Sequence, residues 1–126
     1  MMVLDRMPLF FVKKEFFDAI VRGEKKAEIR VGPYWKKVAE KILKGESKPI
    51  AIFKWRNRTL LREIYRIEIY PSIRRALANG RWKLLGLKAK TYQEAIMEIS
   101  TLYRRKVIGP SVIFWFRKVK DLSKKM

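Results

Sequence analysis

The chain contains neither cysteine nor histidine among its 126 residues. Without cysteine there is no disulfide framework, no thiolate nucleophile and no zinc–thiolate site. Without histidine there is no Ser-His-Asp triad, no imidazole acid–base chemistry and no histidine-ligated metal. Any catalysis would have to use Lys, Glu, Asp, Tyr, Ser or Thr, and nothing in the sequence calls for a metal or an organic cofactor.

Long apolar runs and side-chain amides are also scarce. The longest uncharged apolar run, residues 107–116, contains Gly109-Pro110 and is too short to span a bilayer. Asp5 and Arg6 interrupt the first apolar residues before a signal peptide could develop, so we expect a cytoplasmic protein with no membrane role. Only two Asn and one Gln occur beside many Lys and Arg, which favours a thermophilic source.

Acidic residues are outnumbered, with 12 Asp and Glu against 31 Lys and Arg, which gives a net charge of +19. Such a charge attracts polyanions and opposes self-association at low salt, so we expect a monomer. Disorder is not expected, because 48% of the residues are hydrophobic and can form a core. We predict a single domain over residues 1–126, with its core in 7–119 and a charged tail in 120–126.

Short strands and helices alternate along the chain. Apolar patterning predicts strands at 7–12, 25–31, 49–55, 59–70 and 111–119, and helices at 13–22, 34–44, 71–79 and 91–103. A phase slip near Glu63-Ile64 predicts a β-bulge, and Asn57 favours a tight turn after the third strand. Residues 81–89 are expected to form a loop with a brief strand. This order indicates an α+β fold with about five strands curling into a small β-barrel and three to four short peripheral helices.

Residues 23–30 read Gly-x-Lys-x-x-Glu-x-Arg, directly after an amphipathic helix and entering a strand. Gly23 lets the chain leave the helix in a left-handed conformation. Lys25 suits a phosphate or, when desolvated, acts as a base, while Arg30 offers a planar fork for phosphate or a base edge. Glu28 can hold that fork. In a regular strand Lys25 faces away from Glu28 and Arg30, so the three converge only if Lys25 lies at an irregular strand start or beside a bulge.

This signature and the element order resemble the ASCH domains, a branch of the PUA-like barrels, over residues 7–119. The resemblance implies a PUA-like barrel with a cleft between the barrel and the first helix, floored by the signature residues. It implies RNA binding for most members, and hydrolysis of acetylated cytidine or of RNA for a few. In those amidohydrolases the Lys matches Lys25, but Glu28 stands where they have a Thr. The last predicted helix begins with a capping-box pattern, Thr91-x-x-Glu94, and the Glu that those enzymes have just before this helix has no counterpart here.

Aromatic residues lie among cations in three further places, a pattern that suits unstacked bases and their phosphates. The candidate nucleic-acid-binding residues are Lys25, Glu28, Arg30, Lys54, Trp55, Arg56, Arg58, Arg81, Trp82, Lys83, Arg104 and Arg105. In a purely structural interpretation the tryptophans face the core, the arginines complement helix ends, Glu28 pairs with Arg30 on a strand and Lys25 is solvated.

Three classes of function remain open. The first is a nucleic-acid-binding module, for RNA above all and possibly for DNA. The second is a small hydrolase, either a ribonuclease or a modified-nucleoside amidohydrolase, with Lys25, Glu28 and Arg30 as its catalytic residues. The third is a basic factor that docks on a ribosome or a protein through cations away from the cleft.

Overall fold

A computed structural model describes residues 7–103 and 109–119 of the chain. Its strands are β1 (Leu9–Phe11), β2 (Ala27–Val31), β3 (Ile50–Trp55), β4 (Arg58–Tyr70) and β5 (Ser111–Arg117). Its α-helices are α1 (Lys14–Arg22), α2 (Pro33–Leu43), α3 (Ile73–Leu77) and α4 (Tyr92–Tyr103), and a 3₁₀ turn covers Arg81–Leu84. The predicted charged tail lies outside the described residues.

The five strands form one mixed sheet in the order β1-β3-β4-β5-β2. β1 runs parallel to β3, and the other neighbouring pairs are antiparallel. The sheet curls into a half-barrel, which confirms the predicted α+β class and is consistent with a PUA-like barrel. The two strands at its open seam are β1 and β2, and the candidate site lies beside this seam.

The β-bulge predicted in the fourth strand is present. The register between β4 and β5 shifts between Ile64, which pairs with Phe116, and Arg66, which pairs with Trp115. Tyr65 is the extra residue that has no partner on β5. A bulge bends its strand and increases the local twist, so it contributes to the curl of the sheet.

The buried residues form two clusters, one on each face of the sheet. In the first, the ring of Phe10 lies 5.2 Å from that of Phe53 and 5.1 Å from that of Phe114, measured between centroids. The second contains Ile113 and packs under α3 and α4. β5 contributes alternate residues to both clusters, because successive side chains of a strand face opposite sides of the sheet, and it therefore fixes the position of β2 beside it.

Two local expectations need correction. Residues 81–84 form a 3₁₀ turn rather than a strand, between Gly80 and Gly86, which both have positive φ. The tight turn predicted after the third strand is present, but its residue with a left-handed conformation is Arg56, at φ 55°, and not Asn57. The Arg56 guanidinium lies 5.1 Å from the Trp55 ring centroid, which is a cation–π contact. None of the helices within residues 7–103 and 109–119 is long and apolar enough to cross a membrane.

Candidate functional site

The signature segment turns sharply between α1 and β2. Gly23 ends α1 with φ 80°, and the backbone N–H groups of Glu24 and Lys25 both donate to the carbonyl oxygen of Ala19. Regular pairing of β2 with β5 begins only at Ala27. Lys25 therefore lies at an irregular strand start, and its side chain can reach the same side as Glu28.

The Lys25 ammonium is buried and fully coordinated. Its side chain is 3% exposed, and Nζ donates to the carbonyl oxygens of Ala27 at 2.8 Å and Leu85 at 2.6 Å. Nζ also lies 3.0 Å from Oε1 of Glu28. Burial lowers the pKa of Lys25, while Glu28 opposes that shift. Three acceptors match the three N–H donors of an ammonium, so the interpretation of Lys25 as a solvated residue is wrong.

Glu28 links the two cations of the signature. Its Oε1 faces Lys25, and its Oε2 accepts from Nε of Arg30 at 2.7 Å. Burial acts to raise the pKa of Glu28, but Lys25 and Arg30 outweigh it and hold the pKa below its usual range. The carboxylate is therefore ionised.

Arg30 joins the two strands at the seam of the half-barrel. From β2, its Nη2 donates to the carbonyl oxygen of Phe11, at the end of β1, over 2.9 Å. Its Cζ lies 5.2 Å from the ring centroid of Phe10 and 5.1 Å from that of Trp35, so aromatic rings hold the guanidinium plane in place. Among the described residues, these hydrogen bonds use only two of its five N–H donors.

These residues form one end of a small cavity, which we call the cleft. It encloses about 200 Å³ between α1, α4 and the start of β2. The lining is Phe11, Val12, Lys13, Phe16, Lys25, Glu28, Ile29, Arg30, Leu85, Leu87, Ile99, Leu102 and Tyr103. Most of these side chains are apolar, and the cavity is smaller than the ~300–1,000 Å³ of common ligand sites. It therefore suits one flat ring rather than a large ligand.

Tyr103 is a cleft residue that the sequence reasoning missed. Its hydroxyl accepts from the backbone N–H of Val31 at 3.1 Å and donates to the carbonyl oxygen of Ile29 at 3.2 Å. Burial raises the pKa of Tyr103 to about 12. In sequence it ends the last predicted helix and is the aromatic residue ahead of Arg104 and Arg105, which does not place it in the cleft. No local pattern indicates that it pairs with a strand 72 residues earlier.

A second depression, the lateral groove, continues from the cleft along α1. It shares Lys13, Phe16, Leu87 and Leu102 with the cleft and adds Glu15, Ala19, Arg22, Glu24, Lys83, Gly86, Lys88 and Glu98. The Arg22 guanidinium bonds to Glu24 at 2.9 Å. Glu98 accepts from the backbone N–H groups of Lys88 and Ala89. The mouth of the cleft therefore opens onto a mixed but cation-bearing surface.

The residues of the predicted β3–β4 turn lie away from the cleft. Trp55 is half-buried, with Arg56 and Lys14 over its ring. Arg58 packs over Phe17 at 4.6 Å and lies 3.6 Å from Asp18. Lys54 is half-buried on β3. A nucleic-acid contact at this turn stays a prediction.

The Arg81-Trp82-Lys83 cluster divides between two environments. Arg81 donates from Nε to the carbonyl oxygen of Ala76 at 2.9 Å and from Nη2 to that of Arg75 at 2.6 Å, so it caps α3. Trp82 packs against the second core cluster, and exposed Lys83 lines the lateral groove. Arg104 and Arg105 lie outside the described residues, and their role stays a prediction.

The fold and the cleft define a class of small α+β domain, a five-stranded half-barrel with a cavity beside its seam. Three solved structures are similar. Hypothetical protein PH0355 has a TM-score of 0.64 at 18% identity, covering 88% of this chain and 97% of that one. PF0455 from Pyrococcus furiosus has a TM-score of 0.58 at 18% identity, covering 90% and 98%.

EF3133 from Enterococcus faecalis V583, described with the family name DUF984, has a TM-score of 0.55 at 16% identity, covering 94% of this chain and 80% of that one. No family model and no curated protein matches the chain. At these identities the likeness shows the fold alone.

Proposed function

We propose that this protein is an RNA-binding module that takes one unstacked base in the cleft and the neighbouring phosphates on the cations at its mouth. One observation carries the proposal: a small apolar cavity ends at an arginine fork that a buried Lys25–Glu28 pair holds in place. The resemblance of residues 23–30 to the ASCH signature supports the same ligand class.

The cleft offers both kinds of contact that an unstacked base needs. Phe11 is 69% exposed at its mouth, and Phe16 lines its wall, so aromatic faces are available for stacking. Arg30 keeps N–H donors that no described residue uses, and these can donate to acceptors on a base edge. A guanidinium fixed by stacking and by Glu28 loses little side-chain entropy when it binds.

The net charge of +19 supports a polyanionic ligand. Lys13 and Lys83 are exposed at the cleft and the lateral groove, where a phosphate on either side of an inserted base would lie. Lysines neutralise phosphates with release of counterions, so the affinity is expected to fall linearly with the logarithm of the salt concentration.

Binding is favoured over hydrolysis by the way the polar groups are engaged. All three N–H donors of the Lys25 ammonium face protein acceptors, and both oxygens of Glu28 face cations. A general base needs a free lone pair within reach of the substrate. Neither side chain offers one, so we assign Lys25 and Glu28 to positioning Arg30.

Fluorescence anisotropy with labelled single-stranded RNA, hairpin RNA, single-stranded DNA and duplex DNA, each titrated across salt, tests the ligand class. We expect one RNA form to keep an advantage at physiological salt. Equal affinity for all four ligands, lost together as salt rises, would show that the charge acts without selectivity and would contradict the proposal.

Two variants test whether the cleft is the site. Arg30→Lys keeps the charge but loses the planar fork, whereas Lys41→Gln removes one exposed charge on α2, away from the cleft. We expect Arg30→Lys to weaken RNA binding by about tenfold or more, the value of one good bidentate contact, and Lys41→Gln to have the smaller effect. Thermal melts check that both remain folded. The reverse order of effects would mean that charge alone determines affinity.

A further inference from the structure

A third concave surface lies where the bulge of β4 meets the end of β5, and we call it the bulge groove. It has a volume of about 500 Å³. Its lining is Ile20, Gly23, Lys25, Lys26, Arg62, Tyr65, Phe116, Arg117 and Lys118. This lining contains five cationic residues and no carboxylate, which distinguishes it from the lateral groove.

Most of these cations are not neutralised by the described part of the protein. Lys26 and Lys118 are exposed and form no ion pair with any described residue. Arg62 donates to the backbone carbonyl oxygen of Leu61 at 2.9 Å, and burial lowers its pKa. Arg117 does pair with a carboxylate, that of Glu63 at 3.2 Å. Like charges gathered on a concave surface repel one another and concentrate anions from solution.

The bulge adds an aromatic face to this surface. Because Tyr65 has no partner on β5, it stands out of the ladder and is 49% exposed. The Arg117 guanidinium lies 4.9 Å from its ring centroid. An exposed ring among cations combines stacking with charge, which suits a nucleic-acid strand better than a single inorganic anion.

The bulge groove is adjacent to the other two surfaces. Lys25 lines both the cleft and the bulge groove, so one buried side chain lies between them. Arg22 lines the lateral groove and the next residue, Gly23, lines the bulge groove. A strand that leaves the cleft along the lateral groove therefore reaches the bulge groove by passing the C-terminal end of α1.

We infer that the bulge groove binds the phosphodiester backbone of the same RNA strand whose base enters the cleft. This inference rests on the proposed function and extends it: the binding site follows the side of α1 and continues around its end, so that flanking nucleotides contribute to affinity. Lys26, Arg62 and Lys118 contact phosphates, and Tyr65 stacks on a flanking base.

The test compares two double variants with the same loss of charge. Lys26→Gln/Lys118→Gln changes the bulge groove, and Lys36→Gln/Lys37→Gln changes exposed lysines on α2 that line none of the three surfaces. Each is measured with a short oligoribonucleotide of about three residues and a long one of about twelve, within the range of single-strand site sizes. Circular dichroism checks the fold of both variants.

We expect the groove variant to bind the long RNA about tenfold more weakly than the α2 variant does. The slope of log affinity against log salt concentration should be about 1.4 smaller in magnitude for the groove variant than for the unmodified protein, since each of two lost phosphate contacts on a single strand contributes about 0.7. Binding of the short RNA should be alike in the two variants. Equal losses on the long RNA would overturn the inference, because the groove would then contribute only generic charge.

Two further outcomes separate this inference from the proposed function. If the short RNA does not bind the unmodified protein, the proposal that the cleft binds a base is contradicted, while the long RNA still tests the role of the groove.

Inorganic tripolyphosphate is added as a competitor in a separate experiment. If it displaces the long RNA from the unmodified protein but not from the groove variant, at concentrations comparable to that of the RNA, the groove takes small polyanions and the RNA assignment is wrong.

Discussion

At the scale of single residues, the protein buries a charged network, an arrangement whose desolvation is costly unless every group is paired. The side chains of Lys25 and Glu28 are 3% and 10% exposed, respectively. Each charge is acceptable only because the others and two backbone carbonyls surround it. Removing one member of the network therefore leaves a buried charge without compensation. The resulting loss in the free energy of unfolding should exceed the contribution of one surface ion pair.

We predict that Glu28→Gln lowers the free energy of unfolding by about 3–5 kcal/mol, the cost of leaving a buried charge unpaired. Because the folded pKa of Glu28 is lowered, its contribution is present above the unfolded pKa of about 4.3 and is lost as pH falls through the folded value. Urea denaturation from neutral to acid pH measures both effects. Glu24→Gln, which breaks an exposed pair, is the control, and an equal loss in it would contradict the prediction.

Tyr103 gives a second prediction at this scale. Its folded pKa of about 12 lies above the unfolded value of about 10, so its contribution to stability is complete below about pH 10 and is lost as pH rises towards 12. Tyr103→Phe should cost about 1–3 kcal/mol at neutral pH, because a backbone N–H and a carbonyl of β2 lose their partner.

The ultraviolet absorbance of phenolate should show that this variant has lost a late-titrating tyrosine. Tyr34→Phe removes an exposed hydroxyl and serves as the control. If both variants lose the same stability, or if the late-titrating phenol persists in Tyr103→Phe, the assignment of Tyr103 is wrong.

At the scale of secondary-structure elements, the site exists because the sheet does not close. β1 and β2 are the edge strands, and side chains satisfy part of their free backbone groups: Arg30 bonds to the end of β1, and Tyr103 covers the outer edge of β2. Edge strands left open are prone to pairing with other chains. Arg30 and Tyr103 also line the cleft, so the contacts that cover the open strand edges are the same contacts that build the cavity.

Gly86, after the 3₁₀ turn, sets how closely this loop approaches Lys25. Its φ is +75°, and a Cβ there would lie 3.0 Å from Cβ of Lys25. We predict that Gly86→Ala destabilises the fold beyond the ~1–2 kcal/mol of a left-handed alanine and weakens RNA binding, since the Lys25 stem must move. Gly45→Ala is matched, because Gly45 has φ +78° and nothing within 4 Å of its Cβ position. Equal effects in the two variants would show that Lys25 does not transmit the change.

At the scale of the whole molecule, the charge of +19 opposes the compact state. Screening weakens this repulsion, since the Debye length falls from about 30 Å at 0.01 M salt to about 8 Å at 0.15 M. We predict that the melting temperature rises over this range of sodium chloride, as measured by differential scanning calorimetry. A fall would mean that the surface ion pairs contribute more than the net repulsion removes.

The sequence predicted the elements well where local patterns decide them. The phase slip in the fourth strand marks a real bulge, and Thr91 caps α4, with its hydroxyl accepting from the N–H of Glu94 at 3.1 Å. The Glu94 carboxylate accepts from the backbone N–H of Lys90, whereas the predicted capping box would have it accept from the N–H of Thr91. The errors occur at Arg56, in the two-residue β3–β4 turn, and at residues 81–89, where hydrogen bonds to Lys25, Lys26 and Glu98 fix the backbone.

Part of the candidate site was likewise predictable from the sequence, and part was not. Composition by itself determined that this protein lacks histidine and cysteine chemistry and carries a net charge of +19, because those properties depend on which side chains are present. The resemblance of residues 23–30 to a family signature singled out Lys25, Glu28 and Arg30 as candidates. Only the tertiary structure decided that they converge in a buried network with the carbonyl of Leu85 and beside Tyr103. Such contacts join residues far apart in the chain, and their geometry depends on how the sheet curls and where its seam is left open.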